Sequence, residues 1–208
     1  ASLRLPGTLA IVAGDNPSLP VKIRVVAYSG SVPKVVREAI TTVPSDRIAT
    51  LPLAISWLCW EQATALPQPI PNVRPDAETT CQPGDTCSAG SCVAGEIESS
   101  TLPTYSPELV YGGAGGPGGV GTCFDTLACF ADGALVPVDL GDCSIDAPAQ
   151  GSEDLNVALL LQPGGQGICN GSNCLVPLDS DPAEGWTSDA AGRLKLPPAV
   201  CQEILSGD

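Results

Sequence analysis

The chain of 208 residues contains no histidine and no methionine, its aromatics stop at three Trp, three Tyr and two Phe, and 15% of it is charged. Globular proteins usually carry about a quarter charged residues. Without histidine there is no Ser-His-Asp or Cys-His nucleophile, no imidazole general acid or base, and little scope for zinc. So few aromatic faces argue against an extended sugar-stacking surface. No apolar run reaches the roughly 20 residues that span a bilayer; even Leu51 to Trp60 is interrupted by Pro52 and Ser56. A basic surface is missing too, since the formal net charge is −14, and nucleic acid is excluded as a partner.

What is present is glycine, proline and cysteine: 23, 21 and 10 residues respectively. Glycine and proline at about a fifth of all positions exclude a helical bundle. The ten cysteines, Cys59, Cys81, Cys87, Cys92, Cys123, Cys129, Cys143, Cys169, Cys174 and Cys201, stand among Gly, Pro, Ser and Asp. An even count in turn-rich surroundings predicts disulfides and an oxidising compartment, hence a secreted, extracellular or cell-surface protein. The opening at Ala1 instead of Met fits a mature product whose signal segment has been removed. Four cysteines fall in the first half and six in the second, which predicts that no bridge joins the halves.

Charge is unevenly spread. Residues 1–60 carry six basic side chains, Arg4, Lys22, Arg24, Lys34, Arg37 and Arg47, against Asp15, Glu38 and Asp46, whereas Arg74 is the one base among the acids of 61–192. Opposed charge along one chain favours end-to-end attraction between copies, and otherwise serves solubility.

Period-two alternation at Val21-Lys22-Ile23-Arg24-Val25 marks a half-buried strand. Similar apolar stretches at Leu3 to Val12, Lys34 to Val43 and Arg47 to Trp57 predict three more, separated by Gly, Asn, Pro and Ser turns. Residues 1–60 therefore read as a β-sandwich module. Residues 61–100 form a connector rich in proline, with Pro67, Pro69, Pro71 and Pro75, leading into the knuckle Cys81-x-x-Gly84-x-x-Cys87-x-x-Gly90-x-Cys92. Residues 101–208 make a second disulfide-stapled β module, with strands predicted at 121–130, 134–140, 155–161, 175–178 and 193–196. The glycine run Gly112 to Gly121 lacks the Lys-Ser/Thr ending of a phosphate loop and reads as a surface loop. Pro197-Pro198 before Ala199 to Leu205, with Gly207 beyond, predicts a short C-terminal helix. The expected class is all-β, as antiparallel Ig-like sandwich modules with a disulfide-rich knuckle and that one helix.

Few residues offer chemistry. Asp179, Asp181 and Glu184 put three carboxylates in six residues beside Gly185-Trp186, a set of hard oxygen ligands suited to calcium, although Pro182 breaks the spacing of an EF-hand. Asp139, Asp142 and Asp146 flank Cys143 in a similar cluster. Trp186, Trp60 and Tyr111 are the aromatics available as binding platforms. Asn170-Gly171-Ser172 is a glycosylation sequon between Cys169 and Cys174, and equally a tight loop closed by a bridge between them. No catalytic residue emerges, and no cofactor is expected apart from calcium at the acidic loop.

The residues Val25-Val-Ala-Tyr28, Val35-Val-Arg-Glu-Ala39, Val43-Pro-Ser-Asp46-Arg47 and Leu53 to Cys59, together with the knuckle and Gly185-Trp186 through Cys201, resemble the cysteine-rich secreted proteins and lipoproteins of myxobacteria and related bacteria. That resemblance implies an extracytoplasmic location and a β fold, and carries over no catalytic residue. The expectation is a secreted or surface-displayed, non-enzymatic structural protein that partners copies of itself or a cell-surface component. Leu3 to Val12 is the segment expected to pair with a neighbour's sheet edge. A calcium- or carbohydrate-binding adhesion module is the alternative, and a protease inhibitor presenting a disulfide-closed loop is a third reading.

Overall fold

The computed structural model describes residues 9–67, 74–107, 126–146, 155–163, 166–171 and 173–206. They form an all-β structure in the coarse sense: five small antiparallel sheets and two short α-helices.

The long hairpin lies in the first sixty residues. Strands β1 (Val21–Ser29) and β2 (Val32–Thr41) pair in register from Val21↔Thr41 to Ala27↔Val35, where a bulge shifts the ladder. Gly30, at φ 62°, takes the left-handed corner that a tight hairpin needs. Six of the ten residues of β2 are buried and none of the nine in β1 is. The reason is lateral position. On its far side β2 meets more protein: Glu38 N donates to Thr86 Oγ1 at 2.8 Å, Ile40 N to Gly95 O at 2.8 Å, and Ile97 N to Ile40 O at 2.9 Å. Strand β1 has no second strand partner among the described residues.

Strands β3 (Ala63–Ala65) and β4 (Ala77–Thr79) pair with each other, as do β5 (Asp85–Ser88) and β6 (Ser91–Ala94). The second of these ribbons is the cysteine knuckle. Ala89 at φ 48° and Gly90 at φ 76° form its two-residue turn, the twist that matches antiparallel strands. Cys87 and Cys92 face each other across the ribbon yet bond elsewhere: Cys59–Cys87 and Cys81–Cys92 tie it to the preceding chain.

In the second half, α1 (Thr126–Cys129) precedes β7 (Ser144–Ile145), β8 (Val157–Leu161), β9 (Ile168–Cys169), β10 (Cys174–Leu178), β11 (Thr187–Ser188), β12 (Leu194–Lys195) and α2 (Pro198–Ser206). The sheet orders are β8-β10-β9 and β11-β12-β7. Cys143–Cys201 ties the second of these sheets to α2, and Cys169–Cys174 closes the β9–β10 hairpin. Cys129 is disulfide-bonded as well, and Cys123 lies outside the described residues. The four described bridges each stay within one half of the chain.

Two apolar clusters hold the sheets. One joins Leu159, Val176, Leu178, Trp186, Leu194, Leu196 and Val200, and the other Val35, Cys59 and Cys87. The 3-10 turn Trp57–Cys59 touches both, because Trp57 and Leu58 pack on the first while Cys59 belongs to the second. Consecutive residues of one turn thus couple the core of the second half to that of the first.

Several expected strands are not formed. Leu9 to Val12 is exposed and has no strand partner among the described residues, and residues 1–8 lie outside the described set. Arg47 to Trp57 makes a single bridge, Ala49↔Thr104, and then the 3-10 turn, because Pro52 lacks the N–H that a ladder requires. Residues 134–138 form no strand; Leu135 is 80% exposed, and Asp139 alone bridges, to Ser144. Within 121–130 the described part is the helical turn α1. The strands expected at 155–161, 175–178 and 193–196 are β8, β10 and β12, and the C-terminal helix is α2. No described helix is long and apolar enough to cross a membrane.

Candidate functional site

The acidic loop after β10 is the first place to look for a site. Asp181 acts as a turn former: its Oδ1 accepts from Ala183 N at 2.8 Å and Glu184 N at 2.9 Å. The Asp179 carbonyl accepts from Asp181 N and Trp186 N, both at 2.9 Å. So close is this fold-back that a Cβ on Gly185 would lie 1.8 Å from the Asp179 carbonyl oxygen. Glycine is therefore required at 185 for space, not for an unusual dihedral. Burial, and then the Asp181 charge, push the Asp179 carboxyl above its ordinary pKa.

Glu184 turns away from this loop. Its Oε1 accepts from Ala89 N, in the knuckle turn, at 3.0 Å, and its charge lies beside Arg37. Burial lowers the Arg37 pKa and Glu184 opposes that shift; the guanidinium also donates to Cys87 O at 3.3 Å. The three carboxylates expected to hold calcium are thus divided among a turn, a half-buried position and a bond between the two halves. Among the described residues no three Asp, Glu, Cys or His side chains gather around a point where an ion would sit. The spacing of the acids was legible in the sequence. The knuckle amide 95 residues away that claims Glu184 was not.

The second acidic group converges on cations of its own chain. Arg193 lies 2.9 Å from Asp142, 3.4 Å from Asp146 and 3.8 Å from Asp139, and Lys195 lies 2.7 Å from Asp142. The hydrogen bonds from Lys195 and Ser144, with the nearby Arg193 charge, lower the Asp142 pKa to about 2. Asp139 and Asp142 before β7, and Asp146 after it, fasten β12 to that strand's flanks, with two cations set against three carboxylates.

The aromatic candidates are occupied in the same way. Trp186 is 6% exposed, inside the larger cluster. Trp60 packs on the smaller cluster and carries the Lys34 ammonium 5.1 Å from its ring centroid. Tyr111 lies outside the described residues. The Asn170 sequon lies at the tip of the β9–β10 hairpin, where Asn170 Oδ1 accepts from Asn173 N at 3.0 Å; Ser172 is outside the described set.

Two features escaped pattern reading. Glu38 is 8% exposed within β2 and meets Arg24 and, at 3.0 Å, Lys22 across the hairpin. Burial raises its pKa, but the bonds and charges of Lys22 and Arg24 outweigh that and hold it below its ordinary value. The second feature is a groove of about 660 Å³ between Pro17-Ser18, Thr42 to Arg47 and Ser99-Ser100. Its one cation, Arg47, donates to the Ser99 and Ser100 carbonyls at 2.9 and 3.1 Å.

Exposed apolar chain is the remaining surface feature. Leu9 is 71% exposed, Ile11 38% and Val12 87%, in the run Leu9-Ala10-Ile11-Val12-Ala13, which enters no sheet among the described residues. It stands just upstream of β1, whose outer edge is unpaired among the described residues. A surface with an unpaired apolar segment and an unpaired edge is equipped for backbone pairing with another chain. No protein-family model, no curated protein and no solved structure matches this chain.

Proposed function

We propose that the protein is a secreted or cell-surface structural protein without catalytic activity, built of stapled β modules of the sandwich type, which assembles with copies of itself into a filament or surface layer. The observation that carries this reading is the coexistence, on one chain, of the apolar segment Leu9–Ala13, exposed from Leu9 to Val12, and an outer edge of β1 that is unpaired among the described residues. Paired disulfides support an oxidising location. Among the described candidates Glu184, Asp142, Trp60 and Trp186 are engaged within the fold, which favours a scaffold over an adhesion module. The basic first sixty residues and the acidic remainder supply attraction between copies placed end to end.

Unreduced protein examined by light scattering and negative-stain imaging over a range of concentrations tests the proposal. Regular polymers that grow with concentration are expected. A particle of 21.0 kDa at every concentration refutes self-assembly.

A further inference from the structure

Resting on the self-assembly reading, we propose the contact itself: Leu9–Ala13 of one copy adds as an antiparallel strand to the outer edge of Ile23–Ala27 in β1 of the next copy. Acceptor and donor match in length. The ladder of β1 runs regularly up to Ala27, where the bulge at Ala27/Tyr28 interrupts it, so five residues from Ile23 are available beside a five-residue apolar donor.

They match in face as well. With Leu9 opposite Ala27, Ile11 falls opposite Val25 and Ala13 opposite Ile23, so one face of the new pair is wholly apolar. Ala27 already packs on the cluster of Val35, Cys59 and Cys87, and the added strand would extend that apolar surface outward. A shift by one residue would turn Leu9 and Ile11 to the face that carries Lys22 and Arg24, which is why this register is favoured.

A second copy is the occupant because, among the described residues, the chain does not satisfy its own edge. Between donor and acceptor lies a turn held by Ser18 N donating to Asn16 Oδ1 at 3.1 Å and Leu19 N to Asn16 O at 3.2 Å, with Pro17 and Pro20 restricting it. Beyond that turn Leu9–Ala13 remains off the ribbon although the edge begins eight residues away at Val21. A contact between two different surfaces of identical chains propagates as an open filament wherever its rotation does not close a ring or a reciprocal dimer.

The test places a benzophenone amino acid at position 12, where 87% exposure of Val12 means that the change leaves the fold intact. Full-length, oxidised protein is prepared with ¹⁴N and with ¹⁵N, mixed, assembled and irradiated, and the cross-linked peptides are identified by mass. Links from position 12 to residues 21–29 of the other isotope are expected. The soluble peptide of residues 9–15 should shorten the polymers in proportion to its concentration, and the same peptide with Ile11→Lys should not. Polymers whose links fall elsewhere, for instance on β8 or residues 134–138, overturn this contact and leave self-assembly standing. Links confined to one isotope show the segment folding back on its own chain and overturn it too. Absence of polymers refutes self-assembly and the contact together.

Discussion

Replacing Glu184 tests whether the two halves are fastened as the structure shows. Its Oε1 accepts the Ala89 amide at 3.0 Å, and hydrogen bonds to a charged group contribute about 1.5–3 kcal/mol. Ala89 is only part-buried, so water would recover some of that in a truncation. Arg37 would lose the nearby negative charge, with only the Cys87 carbonyl left at 3.3 Å. Together these place Glu184→Ala at about 1.5–2.5 kcal/mol destabilised and Glu184→Gln, which keeps an acceptor, at about 0.5–1. Ala89→Gly is the control: it retains the N–H, relieves a non-glycine residue at φ 48° and should stabilise by about 1 kcal/mol. Glu184→Ala should cost the same in either background, since the lost bond uses the backbone. The assay is guanidinium unfolding at neutral pH with disulfides intact, comparing midpoints at constant slope. A loss below about 0.5 kcal/mol for Glu184→Ala would refute the latch, as that is the size of an ordinary surface substitution. Calcium provides a second refutation: if it raises the melting temperature of the unaltered protein and Glu184→Ala abolishes the rise, the carboxylate is an ion ligand.

Cys→Ala pairs should rank by the loop each bridge closes. The 58-residue separation of Cys143–Cys201 predicts a loss of about 4 kcal/mol and the 5-residue separation of Cys169–Cys174 about 2, so equal or inverted losses in denaturant melts would show that loop closure is not the governing term. Gly185→Ala forces a Cβ against the Asp179 carbonyl and should cost about 3 kcal/mol or more, measured as a fall in melting temperature; a variant as stable as the parent would place that loop differently. Stability should fall as the solution is acidified. Glu38 and Asp142 both have folded pKa values below their ordinary ones, 4.5 and 3.8, so what they contribute is present above those values and is lost as pH drops toward the folded ones, about 2 for Asp142. Asp179, raised in the folded state, works in the opposite sense: its contribution is present at low pH and is lost as pH rises through its folded value. Calorimetry from pH 6 to 2 should therefore show a declining melting temperature, less steep in Glu38→Gln, and a rise on acidification would mean that Asp179 outweighs the paired acids.

Local patterns found what depends on neighbours in sequence. The alternation at Val21–Val25 became β1, the proline-glycine frame around Ala199 to Leu205 became α2, and the glycines of the knuckle took the left-handed corners at Gly84 and Gly90. Cys169 and Cys174, flanking a short polar loop, are bridged. Sequence context is silent where a distant partner decides. Glu184 has the sequence context of an ion ligand and is claimed by Ala89. Trp60 has the composition of a platform and is covered by Lys34. Glu38 is a charge at a buried strand position, tolerable because Lys22 and Arg24 lie across the hairpin, and that pairing exists only once the register is known.

The two kinds of failed strand have different physical causes. Arg47 to Trp57 carries its own reason, because Pro52 withholds a donor and Thr50 N and Tyr105 N make only the bonds of one bridge. Leu9 to Ala13 contains no such defect: five apolar residues without proline or glycine are fit for a sheet, and what they lack among the described residues is an adjacent strand. An apolar pattern states that a segment will pair and is silent about which chain provides the edge. In a protein stapled by disulfides, folding does not require every such segment to be used internally, because the bridges add stability of their own by constraining the unfolded chain. In the contact we propose, Leu9–Ala13 and the edge of β1 are the two parts of one pair, separated in the same molecule by a proline-bounded turn and meeting between molecules.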